Sequence, residues 1–92
     1  MRKSSAVNVT INIAPNPAQT YTNLSYTIPQ SSWIKMIVYN AKGQLIETLL
    51  NERAAAGNYQ KILNIEKYSS GKYIIQLLVD GEKYSSSFYK TN

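Results

Sequence analysis

Side chains able to do acid–base, nucleophilic or metal chemistry are almost missing from this chain. It contains no histidine and no cysteine, and it has only five carboxylates, Glu47, Glu52, Glu66, Asp80 and Glu82. Serine–histidine–acid triads, cysteine–histidine couples, imidazole acid–base catalysis and histidine or thiolate zinc sites are therefore excluded. The chain is not expected to be an enzyme, and no cofactor or metal is expected. What remains is recognition. Eight tyrosines and Trp33 could stack on sugar rings, but the tyrosines fall on most predicted strands and on both faces. That scatter fits β-propensity and the packing of an amphipathic ring better than a binding platform. Trp33, beside the polar Ser31-Ser32, is the one candidate glycan platform.

Ten lysines and arginines against five acids give a net charge of +5. The lysines stand singly along the chain, and only Arg2-Lys3 are adjacent. A nucleic-acid binder gathers its basic residues into a stripe or a helix, so nucleic acid is not expected as a partner. Attraction to an anionic surface is reasonable but unspecific at this level. No apolar run approaches the roughly 20 residues needed to span a bilayer as a helix. The stretch after Arg2-Lys3 is interrupted by Ser4, Ser5, Asn8, Thr10 and Asn12, unlike the apolar part of an export signal. The sequence is expected to be one part of something longer.

The elements that must position any recognition surface are strands. Val7, Val9, Ile11 and Ile13 alternate with Asn8, Thr10 and Asn12, which is the period of a half-buried strand. Residues 1–6 are expected to be a flexible segment and residues 7–92 the domain. Leu24, Tyr26 and Ile28 alternate in the same way, as do Ile34, Met36 and Val38 within Trp33–Tyr39. Further strands are predicted over Gln44–Leu50, Tyr59–Ile65, Lys72–Val79 and Lys83–Lys90. Which face of Tyr59–Ile65 points inward is open, because Lys61 interrupts one row and polar residues flank Ile62 in the other. Asn51–Asn58 is predicted to be the longest connection, with its three alanines able to form one helical turn.

Seven short strands with turn signals every 8–12 residues predict an all-β fold, an immunoglobulin-like β-sandwich of about seven antiparallel strands. At ninety-two residues the chain makes one domain with one thin core, burying roughly 60–65% of its unfolded surface. Pro15-Asn16-Pro17 is predicted to be a rigid corner directing the chain from one sheet to the other. Asp80-Gly81 supplies the two left-handed positions of a two-residue hairpin loop. Its first strand, apolar on both faces, suits the middle of a sheet, and its second, with Ser85-Ser86-Ser87, suits an edge.

In order, the runs APNPAQTYTNLSYTIP, IKMIVYNAKGQLIETLL and AAAGNYQKILNIEKYSSGKYIIQLLVDGEKYSSSFYK resemble the C-terminal sorting domain of the type IX secretion system of Bacteroidetes. The layout is also similar to the immunoglobulin-like domain of flagellar hook-capping proteins. The residues that carry the likeness are Pro15, Asn16 and Pro17 at the corner and Tyr39, Asn40 and Gly43 at a hairpin. Gly57 with Tyr59 and Gly71 with Tyr73 match two strand starts, and Lys90 matches the basic end. The resemblance implies a sorting signal at the end of a larger cargo protein, passing through the periplasm to the outside or the cell surface. It implies an outer-membrane translocon and a sortase-like peptidase as partners, with removal of the domain followed by attachment to anionic lipopolysaccharide or simple release. Two rival readings stand beside it. One is an accessory carbohydrate- or protein-binding module of a secreted polysaccharide-degrading enzyme, contacting glycan through Trp33 and neighbouring tyrosines; the other is a structural spacer or assembly domain.

Overall fold

Period-two sequence becomes period-two burial. From Tyr21 to Ile28 the buried residues are Thr22, Leu24, Tyr26 and Ile28, every second one. The computed structural model describes residues 9–92, and within them the chain forms seven strands and no helix. They are β1 (Thr10–Ala14), β2 (Tyr21–Ile28), β3 (Ser32–Asn40), β4 (Leu45–Ala54), β5 (Gly57–Asn64), β6 (Gly71–Val79) and β7 (Glu82–Lys90). One sheet has the order β1-β2-β5 and the other β4-β3-β6-β7, and every pairing between strands is antiparallel. The expected seven-stranded immunoglobulin-like sandwich is what forms. Residues 1–6, read as flexible, and the Val7-Asn8 start of the first predicted strand lie outside the described residues.

Both sheets contribute to one core. Leu24 and Ile28 of β2 meet Ile34, Met36 and Val38 of β3, Ile75 and Leu77 of β6 and Phe88 of β7, all essentially sealed from water. Each such side chain contributes about 1.5–3 kcal/mol by its burial. β6 lies between β3 and β7, as its two apolar faces require.

Two expectations are corrected, and one question the sequence left open is answered. β4 runs on to Ala54, so Asn51–Ala54 are strand, and only Ala55 and Ala56 connect it to β5. No helical turn forms there, because β3 offers ladder positions as far as Ser32, which pairs with Ala54. In β5 the inward row is Tyr59, Lys61 and Leu63, set by their pairing with Tyr26, Leu24 and Thr22; Ile62 points outward and is 68% exposed. The second correction is at the proline corner. β1 and β2 belong to the same sheet, so Pro15-Asn16-Pro17 does not carry the chain across. It leaves that sheet, touches β7 of the other, and returns.

Candidate recognition edge

The terminal hairpin turns on Asp80 and Gly81, whose φ angles of 48° and 90° are the left-handed pair that Asp-Gly accommodates. Val79 faces Glu82 across the loop, and the register then runs without a slip to Gly71 opposite Lys90. Along β7 the side chains of Tyr84, Ser86, Phe88 and Lys90 turn inward, while Lys83, Ser85, Ser87 and Tyr89 turn outward.

The lateral edge of β7 is only half open. The backbone groups of its odd-numbered residues point away from β6, as the bonds of Tyr89 establish. The Tyr89 N–H donates to Asn16 Oδ1 at 2.9 Å, and the Tyr89 carbonyl accepts the Ala18 N–H at 2.8 Å. One step on, the Thr91 N–H donates to the Ala18 carbonyl at 2.8 Å. One step back, Asn16 Nδ2 reaches the Ser87 carbonyl at 3.4 Å. Ala18 and Lys90 thus form an isolated parallel bridge. By the same alternation, the N–H and carbonyl of Lys83 and of Ser85, and the N–H of Ser87, face outward. Among the described residues they have no hydrogen-bond partner. Such a row of unpaired backbone groups is a template for another strand.

The corner is built to stay where it is. Pro15 and Pro17 lack N–H donors and so leave no ladder to continue. The buried Thr22 hydroxyl of β2 donates to the Pro15 carbonyl at 2.9 Å, and Ala18 is itself buried. Asn16, between the prolines, supplies one acceptor and one donor to β7. Ala18, Gln19 and Thr91 complete the contact, with Gln19 Nε2 donating to the Asn92 carbonyl. Sequence reasoning missed these three residues. The available signal was an amide held between two prolines, a rigid side-chain donor and acceptor awaiting a strand.

The other motif residues shape the frame. Asn40 Oδ1 accepts the N–H groups of Lys42 and Gln44, both at 2.9 Å, and so holds the loop in which Gly43 adopts φ 84°. Tyr39 precedes it, partly buried on β3. Gly57 and Gly71 open β5 and β6, and two residues later Tyr59 and Tyr73 fold back. The Tyr59 hydroxyl donates to the Ala55 carbonyl and that of Tyr73 to the Ser69 carbonyl, each at 2.7 Å and each four residues upstream. The second is the tyrosine corner of immunoglobulin-like domains, at the start of the strand that follows the β5–β6 crossing. Tyr73 also stacks on Phe88 at 5.6 Å, and Tyr59 on Tyr26 at 5.4 Å.

These residues do not converge on one pocket. The proline corner, the Tyr39-Asn40-Gly43 hairpin, Gly71, Tyr73 and Lys90 gather at one end of the four-stranded sheet. Gly57 and Tyr59 lie at the opposite end, where Ile28 faces Gly57. Lys90 is 6% exposed and its Nζ donates to the Thr91 carbonyl at 3.1 Å, so its charge is turned inward and is not displayed as a basic tip. Trp33 is 52% exposed. Its ring N–H donates to Asn51 Oδ1 at 2.8 Å, and its backbone is tied to Asp80. It lies two strands away from the β7 edge.

Electrostatics is mild. The Tyr68 phenol, largely through burial and then through its bond to Glu47 Oε1 at 2.9 Å, is held far above the ordinary tyrosine range. Burial also raises Tyr26, with the charge of Glu52 adding to it. Among the described residues no group of three or more acids could hold a metal ion.

No curated protein is significantly similar to the chain. The family described as secretion system C-terminal sorting domain matches residues 12–90, which takes in β2 to β7, the proline corner and the half-open edge. With that span matched, the chain belongs to the C-terminal sorting domains of the type IX secretion system.

Proposed function

We propose that this domain is a non-enzymatic signal which a translocon reads by strand addition along the open part of the β7 edge. The observation that carries this reading is the run of outward backbone groups from Lys83 to the Ser87 N–H, unpaired among the described residues and bounded by the Asn16–Ala18 contact. Main-chain hydrogen bonds of an added strand supply affinity, and alternate side chains, here Lys83 and Ser85, supply selectivity. The cargo precedes the domain and passes with it through the periplasm to the outside. A sortase-like peptidase then removes the domain, for release or attachment at the cell surface.

The test fuses residues 1–92 behind an inert periplasmic reporter in a bacterium that has this secretion system. The unaltered fusion reaches the medium or the cell surface. Ser85→Pro removes an N–H that β6 does not use, so the ladder to β6 survives and the outer edge is blocked. That variant remains periplasmic while melting near the unaltered temperature, and Ser85→Thr is exported. Export of a folded Ser85→Pro fusion would refute edge reading, whereas retention of the unaltered fusion would refute sorting itself.

The exposure of Trp33 favours a second reading, a glycan platform on the outer face of β3. Pull-down on insoluble polysaccharides that disappears in Trp33→Ala is the result that supports it.

A further inference from the structure

Charge is sorted between the faces of the two sheets. Strand register places Arg53 beside Trp33, Lys35 beside Asn51 and Leu78, Lys83 beside Leu78, and Lys72 beside Tyr89 on the outer face of β4-β3-β6-β7. Between these four cations stand Trp33, Tyr39, Leu45, Ile74, Leu78 and Tyr89. Of the five carboxylates only Asp80 borders this face, at the turn beside Trp33. Glu47 and Glu52 stand opposite the inward-facing Val38 and Ile34. Glu47 accepts the Tyr68 hydroxyl, and Glu52 acts on Tyr26 of the other sheet. Glu82 faces Val79 and accepts the Tyr84 hydroxyl at 3.0 Å. Glu66 lies in the β5–β6 connection, and Asp80, in the β6–β7 turn, accepts the Trp33 N–H and is the one negative charge at the margin of four cations. The outer face of the other sheet shows the contrast. Its rows carry the exposed Tyr21 and Ile62 among Thr10, Asn12, Ser25, Thr27, Asn58 and Gln60, and no charged residue.

We infer that the outer face of β4-β3-β6-β7 docks on an anionic lipid surface. Two arguments select lipid over an acidic protein. A protein interface concentrates apolar residues in a core, keeps charge at the rim and is poor in lysine. Here each cation stands directly beside an apolar or aromatic side chain, Arg53 beside Trp33, Lys35 and Lys83 beside Leu78, and Lys72 beside Tyr89. The side-chain set also has amphipathic members, with tryptophan and tyrosine pairing an apolar ring with a polar tip and lysine pairing an apolar stem with a charged head. These are the residues that settle among headgroups.

Trp33 is the only tryptophan in the chain and lies on this face, so it reports docking directly. Vesicles of phosphatidylcholine with about one third phosphatidylglycerol are mixed with the full chain and sedimented, alongside pure phosphatidylcholine vesicles. Expected are co-sedimentation with the anionic vesicles alone, a blue shift of Trp33 emission, and loss of both at high salt. Lys35→Gln and Lys83→Gln each weaken binding about fivefold. Lys61→Gln makes the same change in net charge away from this face and leaves binding unchanged. Absence of binding, binding without a Trp33 shift, or an equal loss in Lys61→Gln overturns the inference. A Trp33 shift with soluble polyglutamate but not with vesicles overturns it too, in favour of an acidic protein. No translocon is needed, so the outcome is independent of the sorting test.

Discussion

Tyr59 and Tyr73 carry one device twice: a glycine, one residue, then a tyrosine whose hydroxyl closes on the carbonyl four residues back. Tyr73→Phe leaves the ring stacked on Phe88 and removes only the hydrogen bond. The loss is about 1 kcal/mol, and the melting temperature falls by about 4–8 °C. Gly71 has φ 146°, and a Cβ built there meets nothing within 4 Å. Gly71→Ala therefore costs backbone strain rather than a clash, at least about 1 kcal/mol in denaturant unfolding. Together with Tyr26, Tyr68 lowers stability at alkaline pH. Its folded pKa is raised above the unfolded value of 10.0, so its contribution is full below about pH 10 and is lost as pH rises from there toward the folded pKa. Melting temperature followed from pH 8 upward declines above about pH 10, and less steeply in Tyr68→Phe than in the parent. The Asp80-Gly81 loop and the glycine-led strand starts were legible in the sequence because a turn states its backbone needs locally. The inward turn of Lys90 was not, since its inward position on β7 and the bridge to Ala18, rather than its own chemistry, decide it.

At the scale of elements, the clearest difference between expectation and structure is β4. Asn51-Glu52-Arg53-Ala54 has little strand propensity of its own, and β3 pairs with it all the same. Strand preference is largely a matter of what lies alongside, and that is invisible in a local window. The proline corner shows the same limit. Its stiffness was legible, but Asn16 finds its partner Tyr89 seventy-three residues away, which no local pattern contains. Its role is open to measurement by hydrogen exchange. Asn16→Ala removes the acceptor for the Tyr89 N–H, so that amide exchanges faster and the open edge extends from Ser87 toward Tyr89. Phe88, whose backbone faces β6, stays protected. Unchanged protection at Tyr89 would show that Ala18 alone holds the corner to β7.

At the scale of the whole molecule, the strand proposed to meet a partner also completes the core. Phe88 is fully buried, and Phe88→Ala is expected to cost about 3–5 kcal/mol. That is a large share of the roughly 5–15 kcal/mol that holds a domain together, so thermal unfolding of the variant begins far below that of the parent. The outward groups of β7 thus exist only while its inward side chains are packed. Three chain crossings join the two sheets covalently, β2–β3, β4–β5 and β5–β6. Where β1 approaches β7 they are joined instead by the hydrogen bonds of Asn16 and Ala18 to β7. In mechanical terms this is a strapped box, with three covalent straps and one non-covalent clasp at the proline corner. Among the described residues, tension on the N-terminal side loads β1 first, the shortest strand and the one leading into the clasp. A pull there works on the β1–β2 ladder and the clasp before it reaches β6.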